Sequence, residues 1–381
     1  MKKPFYILAL FIFFGCKETP KETVPKSEAL NETKITYAKG FSIEKEASGI
    51  TVIKLLSPWQ SAETSFTYAL VPREKLATTS LNKNEYDAII ATPVENMIVT
   101  STTHITALDI LGVENTLVGF PNTDLISSEK TRKRIDAGQV VELGHNENLN
   151  TEVVLSLKPD VIIGFGLNSQ NKAYETLKRS MIPVVYNGDW TEETPLGKAE
   201  WIKFFAPFYH KEKEAETFFN TIEKSYNESK KIALKATAKP TILTGGLYKD
   251  VWYVAGGNSW MARFLKDAQA NYLWQDNHET GGLALSIEAV LNTAEKADFW
   301  LNPSMLTSYE DMKVSNRHYQ KFEAFTTRNI YSNTIAKGAT GGLLFYELAP
   351  QRPDLVLKDL IAIFHPELLP EHQLKFFKPL Q

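Results

Sequence analysis

Lys211-Glu-Lys-Glu-Ala-Glu-Thr-Phe-Phe-Asn-Thr-Ile-Glu-Lys-Ser-Tyr-Asn-Glu-Ser-Lys-Lys-Ile-Ala-Leu-Lys-Ala236 places Ala215, Phe218, Phe219, Ile222 and Tyr226 at i, i+3, i+4, i+7 and i+11, with Lys and Glu between them. That spacing buries one helical face and solvates the other. Without Gly or Pro, the stretch predicts one uninterrupted helix of roughly 35–40 Å at 1.5 Å per residue. Pro207 and Pro240 bracket it as boundaries. On either side, short β-rich runs alternate with helical patterns. The stretch therefore reads as a rigid strut between two α/β lobes, the alternative being an ordinary packing helix of one large domain.

The lengths of the flanks agree with two lobes, because 381 residues exceed the size at which one core usually stops growing. We divide the chain into an export signal (1–16), a polar tether (17–34), a first lobe with a small β accessory layer (35–195), a linking helical segment (196–237) and a second lobe (238–381). With 42 Lys and Arg against 45 Asp and Glu, the net charge of −3 gives no electrostatic footprint for nucleic acid. The single cysteine excludes an intramolecular disulfide and any multi-cysteine metal site.

Lys2 and Lys3 precede an uncharged run, Phe5 to Phe14, that ends at Gly15-Cys16. This is the n-region and h-region of an export signal, too short to remain as a membrane span. A sole cysteine directly after the apolar run resembles a bacterial lipoprotein signal, which implies lipidation of Cys16 and a membrane anchor. Residues 17–34 are rich in Lys, Glu, Thr and Pro and cannot form a core, so they read as a flexible leash.

Between Ile35 and Val71, alternating runs broken by Gly40, Gly49 and Pro58 predict the accessory hairpin layer. Strands at Val94–Val99, Thr116–Gly119, Val161–Gly164 and Pro183–Tyr186 then alternate with helices at Thr103–Leu111, Thr151–Leu157 and Gln170–Arg179. Such alternation predicts a parallel sheet with its ligand at the carboxyl ends of the strands. Thr100–His104, Phe120–Asn122, Gly144–Asn148, Gly164–Gly166 and Asn187–Trp190 are the loops there. Gly164-Phe-Gly166 opens like a dinucleotide fingerprint, but Ser169 stands where the third glycine belongs.

The second lobe repeats part of the first. Asn150-Thr-Glu152-Val-Val-Leu155 followed by Pro159-Asp160-Val-Ile-Ile163 is echoed by Ser286-Ile-Glu288-Ala-Val-Leu291 followed by Ala297-Asp298-Phe-Trp-Leu301. In each copy a polar cap leads into a helix with Glu near its start, then an acidic turn and a strand, as expected of pseudo-symmetric lobes.

With these segments, with the run Thr100–Gly119 and with Tyr253-Val-Ala-Gly-Gly-Asn-Ser259, the chain resembles the substrate-binding proteins of bacterial ABC importers, in the class that carries ferric siderophores, heme and vitamin B12. The resemblance covers nearly everything after Ile35. It implies two Rossmann-like lobes joined by one helix, a ligand held between them with modest closure, and docking of Glu152 and Glu288 on arginines of a membrane permease. A carboxylate in a helix's first turn also stabilises the helix dipole by roughly 0.3–1 kcal/mol without any partner. Its occurrence in both lobes favours docking.

For the ligand, Trp190, Trp252, Trp260 and Tyr248 are the candidate aromatic walls, joined by His104 and Tyr346 from loops of the cleft. Arg352 offers a planar cationic fork to an anionic chelate. Asn258 and Asn302 follow strands and are candidates for fixing polar groups. The expected cargo is a ferric siderophore, with heme, ligated axially by His104 or Tyr248, or cobalamin as alternatives. The seven histidines (His104, His145, His210, His278, His318, His365, His372) are too scattered for a bare-metal site. No Gly-x-Ser-x-Gly elbow and no His-Glu-x-x-His motif is present to support an exported hydrolase. The expectation is a monomeric binding protein, with no catalytic residues, no resident metal and no cofactor.

Overall fold

The computed structural model describes residues 29–56, 58–60, 62–168 and 170–381. The export signal, with Cys16, and most of the stretch read as a tether lie outside them. Ala29–Glu32, inside that stretch, is a strand paired antiparallel with Phe41–Glu46, so the tether reading extends too far at its carboxyl end.

The amino-terminal layer is a five-stranded sheet in the order Ala29–Glu32, Phe41–Glu46, Thr51–Leu55, Phe66–Pro72, Ala88–Thr92. Its first three pairings are antiparallel and the last is parallel. Period-2 alternation sends Phe41, Ile43, Ile53, Leu55, Tyr68 and Leu70 into the core of the first lobe, while Val52, Ala69 and Val71 form a small cluster on the opposite face. Ile35 to Tyr37, predicted as a β-rich run, is irregular. The buried Glu200 carboxylate accepts from the amides of Thr36, Tyr37 and Ala38, and Glu192 accepts from those of Lys39 and Gly40. Backbone groups that would otherwise join a ladder are thus satisfied by side chains 150 or more positions away in sequence.

The first lobe is built on a parallel sheet in the order Val184–Asn187, Val161–Phe165, Met97–Val99, Leu117–Phe120, Val141–Glu142. Chain order reverses between Met97–Val99 and Val161–Phe165, so a crevice opens beyond their carboxyl ends. The second lobe repeats this plan with Asn271–Tyr272, Thr241–Thr244, Phe299–Leu301 and Ile330–Ser332 in parallel, edged by the antiparallel Lys378–Pro379. Beside it lies an antiparallel three-stranded sheet of Gly246–Tyr248, Val251–Ala255 and Gly282–Leu285.

The internal echo has a structural counterpart. Asp160 accepts from the amides of Glu95 and Asn96 just ahead of the strand that its own strand pairs with, and Asp298 accepts from the Thr241 amide at the start of its partner. At the other end of the same strands, Thr100 Oγ1 meets Tyr174 Oη and takes the Phe165 amide, while Thr244 Oγ1 meets Tyr272 Oη and takes the Ala255 amide.

The long helix runs from Glu212 to Ala233, about 33 Å over its 22 residues. Ala215, Phe219 and Ile222 on its first half belong to the core of the first lobe, and Tyr226 and Ala233 on its second half to that of the second. The carboxyl-terminal helix Pro353–Phe364 lies against it, tied by Ser225 Oγ to Asp354 and by Lys358 Nζ to Ser225. Among the described residues no helix is long and apolar enough to cross a membrane.

Candidate ligand cleft

The crevice is built from the first turn of Thr102–Leu111, capped by Ser101, and from the loop that follows Val184–Asn187. Against them the second lobe sets the start of Trp260–Asp267, capped by Ser259, and the helix Leu344–Leu348. Ser101, Thr102, Thr103, Asp189, Trp190, Lys198, Trp260, Phe345, Tyr346 and Pro350 enclose a cavity of about 300 Å³. A second cavity of about 330 Å³ adjoins it, sharing Trp190, Lys198 and Trp260 and adding Glu192, Glu193, Ser259, Met261 and Thr280. A third, of about 290 Å³, continues past Glu192 and Glu193 to Trp59, Tyr37 and Lys39 of the accessory layer.

Three of the nine expected ligand residues meet here, from both lobes. Trp190 stands edge-on to Phe165 at 5.9 Å, and its indole Nε1 is buried without a hydrogen-bond partner. Trp260 is held by Phe264 at 5.4 Å and Phe345 at 5.6 Å, which leaves part of its ring exposed to the cavities. Tyr346 is 57% exposed. The rings can thus contact a flat or bulky ligand from two sides.

The other six are placed elsewhere. Trp252 is fully buried, stacked on Trp300 at 5.2 Å with Tyr319 edge-on at 5.7 Å, and belongs to the core of the second lobe. Tyr248, 65% exposed, lies on the outer hairpin beside Lys249. Asn258 donates to the His278 carbonyl and lines a separate small hollow with Arg263 and Asp276. Asn302, at φ 57°, accepts from the Asn333 amide. Arg352 is a surface residue after all: its guanidinium is bidentate to Asp354, at 2.9 and 3.0 Å, on an open groove along the long helix. That groove, about 840 Å³, is larger than any of the cleft cavities and has no lining residue in common with them. Several of its polar side chains are already paired, Arg352 and Ser225 with Asp354 and Lys358 with Ser225.

His104 is sealed behind the cleft against Phe205 at 5.4 Å. Both ring nitrogens lack a hydrogen-bond partner, although Asn187 is its neighbour. Burial pulls the imidazole down to about 4, against the opposing influence of Asp189 and Asn187.

Sequence reasoning missed Lys198. Its side chain is only 7% exposed, and Nζ donates to the carbonyls of Asp189 and Trp190, each at 3.0 Å, beneath the Trp260 ring at 5.2 Å. Burial lowers the amine to about 8, with Asp189 and Glu192 acting in the opposite direction. No local signal marks it: in Leu196-Gly-Lys-Ala-Glu-Trp-Ile202 two charged residues alternate with apolar ones, and it is the structure that shows the whole run buried.

At one end of the cleft the lobes are sewn together. The Glu347 carboxylate accepts from the Ser127 amide at 2.5 Å, Thr106 Oγ1 donates to the Glu347 carbonyl, and Ser127 Oγ donates to the Gly342 carbonyl. Burial raises the Glu347 carboxyl to about 7, with the Ser127 and Ser128 amides pulling it down.

Glu152 and Glu288 are both exposed, each second in its helix, Thr151–Leu157 and Ile287–Ala294. Asn150 and Ser286 cap those helices by accepting from the amides of Val153 and Ala289. Its own helix amide and the Ser286 hydroxyl hold the Glu288 carboxyl below the ordinary range.

This architecture is similar to solved binding proteins. A possible iron-binding, periplasmic solute-binding protein from Staphylococcus epidermidis superposes with a TM-score of 0.58 at 19% identity, over 72% of this chain and 100% of that one. A periplasmic heme-binding protein from Pseudomonas aeruginosa gives 0.58 at 18% identity, over 76% and 98%. An uncharacterized lipoprotein of Methanocaldococcus jannaschii is 25% identical over 298 residues, covering 76% of this chain and 69% of its own length. The family model described as periplasmic binding protein matches residues 97–334, which include both parallel sheets' central strands, the long helix and the aromatic cleft walls Trp190 and Trp260. The chain belongs to the periplasmic binding protein family.

Proposed function

We propose that this protein captures a bulky iron chelate, a ferric siderophore, in the interlobe cleft and delivers it to an ABC permease through Glu152 and Glu288. The observation that carries the reading is the convergence of Trp190 from one lobe and Trp260 and Tyr346 from the other on adjoining cavities. Each cavity is of a size that takes part of a large ligand, and their shared walls, Trp190, Lys198 and Trp260, set them side by side. The similar P. aeruginosa protein is described as heme-binding and the S. epidermidis protein as a possible iron-binding one. Two exposed carboxylates at equivalent positions of the two lobes support docking. The anchor is the lipid on Cys16, and Cys16→Ser moves the protein from the membrane to the soluble fraction.

Tryptophan fluorescence of the chain from residue 29 onward, titrated with ferric catecholate, hydroxamate and citrate complexes, heme and cobalamin, tests the cargo. Saturable quenching by a ferric siderophore at micromolar concentration is expected, and weakened binding after Trp190→Ala or Trp260→Ala places it in the cleft. Quenching by none of them withdraws the cargo. Heme is the second reading. With His104 sealed and Tyr248 on the outer hairpin, Tyr346 is the phenol that lines the first cavity, alongside Trp190 and Trp260, and a visible charge-transfer band lost in Tyr346→Phe would establish it.

A further inference from the structure

We propose that Lys198 Nζ is an anion-binding point at the junction of the cleft cavities, which selects a cargo carrying a carboxylate or phenolate oxygen on a planar scaffold. The proposal rests on the cleft being the ligand site. An ammonium group has three N–H donors, and two of those of Lys198 are taken by the Asp189 and Trp190 carbonyls. The Trp260 ring covers the group from the second lobe. One charged N–H is left without an acceptor on a side chain that is almost fully buried. A buried, unmet donor of that kind is costly unless something in the cavity accepts from it.

Trp190 lines the same two cavities as Lys198, but its Nε1 has no exposed surface, so its ring rather than its N–H meets a ligand there. The remaining N–H of Lys198 suits an oxygen of a carboxylate or of a catecholate. Three carboxylates stand near without a hydrogen bond to the amine: Glu192 Oε1 is occupied by the Lys39 and Gly40 amides and the Trp201 indole, Asp189 and Glu192 act on the amine through space, and Glu193 lines the second cavity. Ser101 and Thr103 hydroxyls, bonded to each other at 3.1 Å, complete a polar end to a cavity whose sides are aromatic.

Pyrene-1-carboxylate and pyrene-1-carboxamide have the same ring and differ in charge, and energy transfer from tryptophan reports the binding of each. The wild-type chain is expected to bind the carboxylate at least ~10-fold more tightly, about 1.4 kcal/mol. Lys198→Met should abolish the preference and Lys198→Arg should keep most of it, with circular dichroism confirming that both variants fold. Equal binding of the two probes by wild type, or a preference that survives in Lys198→Met, overturns the anion site and leaves the cleft assignment standing. Binding of neither probe by wild type removes both.

Discussion

His104 illustrates how one buried side chain sets a pH profile. Folding lowers its imidazole from 6.5 to about 4, so between those values the unfolded chain binds the extra proton and stability falls as pH drops. At pH 5 the loss is about 2 kcal/mol, from a full value of ~3 kcal/mol. Glu347 acts in the opposite sense. Its carboxyl, raised from 4.5 to about 7, keeps a proton in the folded state that the unfolded chain has released, so its contribution falls as pH rises across that window. We therefore expect His104→Phe, which removes two unpartnered nitrogens from a buried site, to leave stability at pH 7 unchanged or higher. At pH 5 it should be the more stable protein by about 2 kcal/mol, read from urea midpoints at the two pH values. Trp252 and Trp190 separate packing from binding in the same way. Trp252→Ala should cost ~3–5 kcal/mol of stability, as expected for emptying a core site. Trp190→Ala should cost little stability and weaken ligand binding by roughly 10- to 100-fold, the ~1.5–3 kcal/mol of a buried large side chain. From sequence these tryptophans were indistinguishable, because each lies at one end of a strand, Trp190 just after Val184–Asn187 and Trp252 at the start of Val251–Ala255. Whether the ring turns to the sheet's core or to the crevice is fixed by neighbours such as Trp300 that are distant in the chain.

At the scale of elements, the amphipathic period of the long helix and the polar caps of its shorter relatives were legible, since helix signals are local. The helix nevertheless begins at Glu212 and ends at Ala233, and the strand expected at Val94–Val99 is only Met97–Val99. The misreading of Ile35 to Tyr37 has a definite cause: alternation is a statement about side chains, whereas the amides of this segment are claimed by Glu200. Asp359 does the same at the other terminus, accepting from the amides of Lys375, Phe376 and Phe377 and from His372. Neither carboxylate advertises this in sequence. Glu200→Ala also removes the carboxylate from Lys203, whose nearly buried amine lies 2.8 Å from it and would keep the Lys34 carbonyl as its acceptor. Loss of ~3–5 kcal/mol is expected, with fast hydrogen exchange appearing first at the Thr36, Tyr37 and Ala38 amides. Unchanged protection there would show that the segment is held by something else.

For the whole molecule, the repeated Glu-to-Asp segment was the most informative feature of the sequence, because a duplicated plan implies two lobes and a space between them. What the repeat could not show is which loops face that space: Asn258 and Asn302 sit near strand ends and yet bond to the backbone outside it. The docking proposal belongs to this scale. Glu152→Lys combined with Glu288→Lys should abolish uptake by cells while fluorescence titration gives an unaltered affinity, and uptake that survives the double reversal would refute it. The pairing of Glu212–Ala233 with Pro353–Phe364 has a mechanical consequence. Two helices laid side by side resist bending better than one, so we expect the back of the molecule to act as the spring of a clip and the cleft to change its gape little by itself. On the proposed docking, letting go becomes work done from outside, and a partner gripping one carboxylate on each jaw has the leverage to do it.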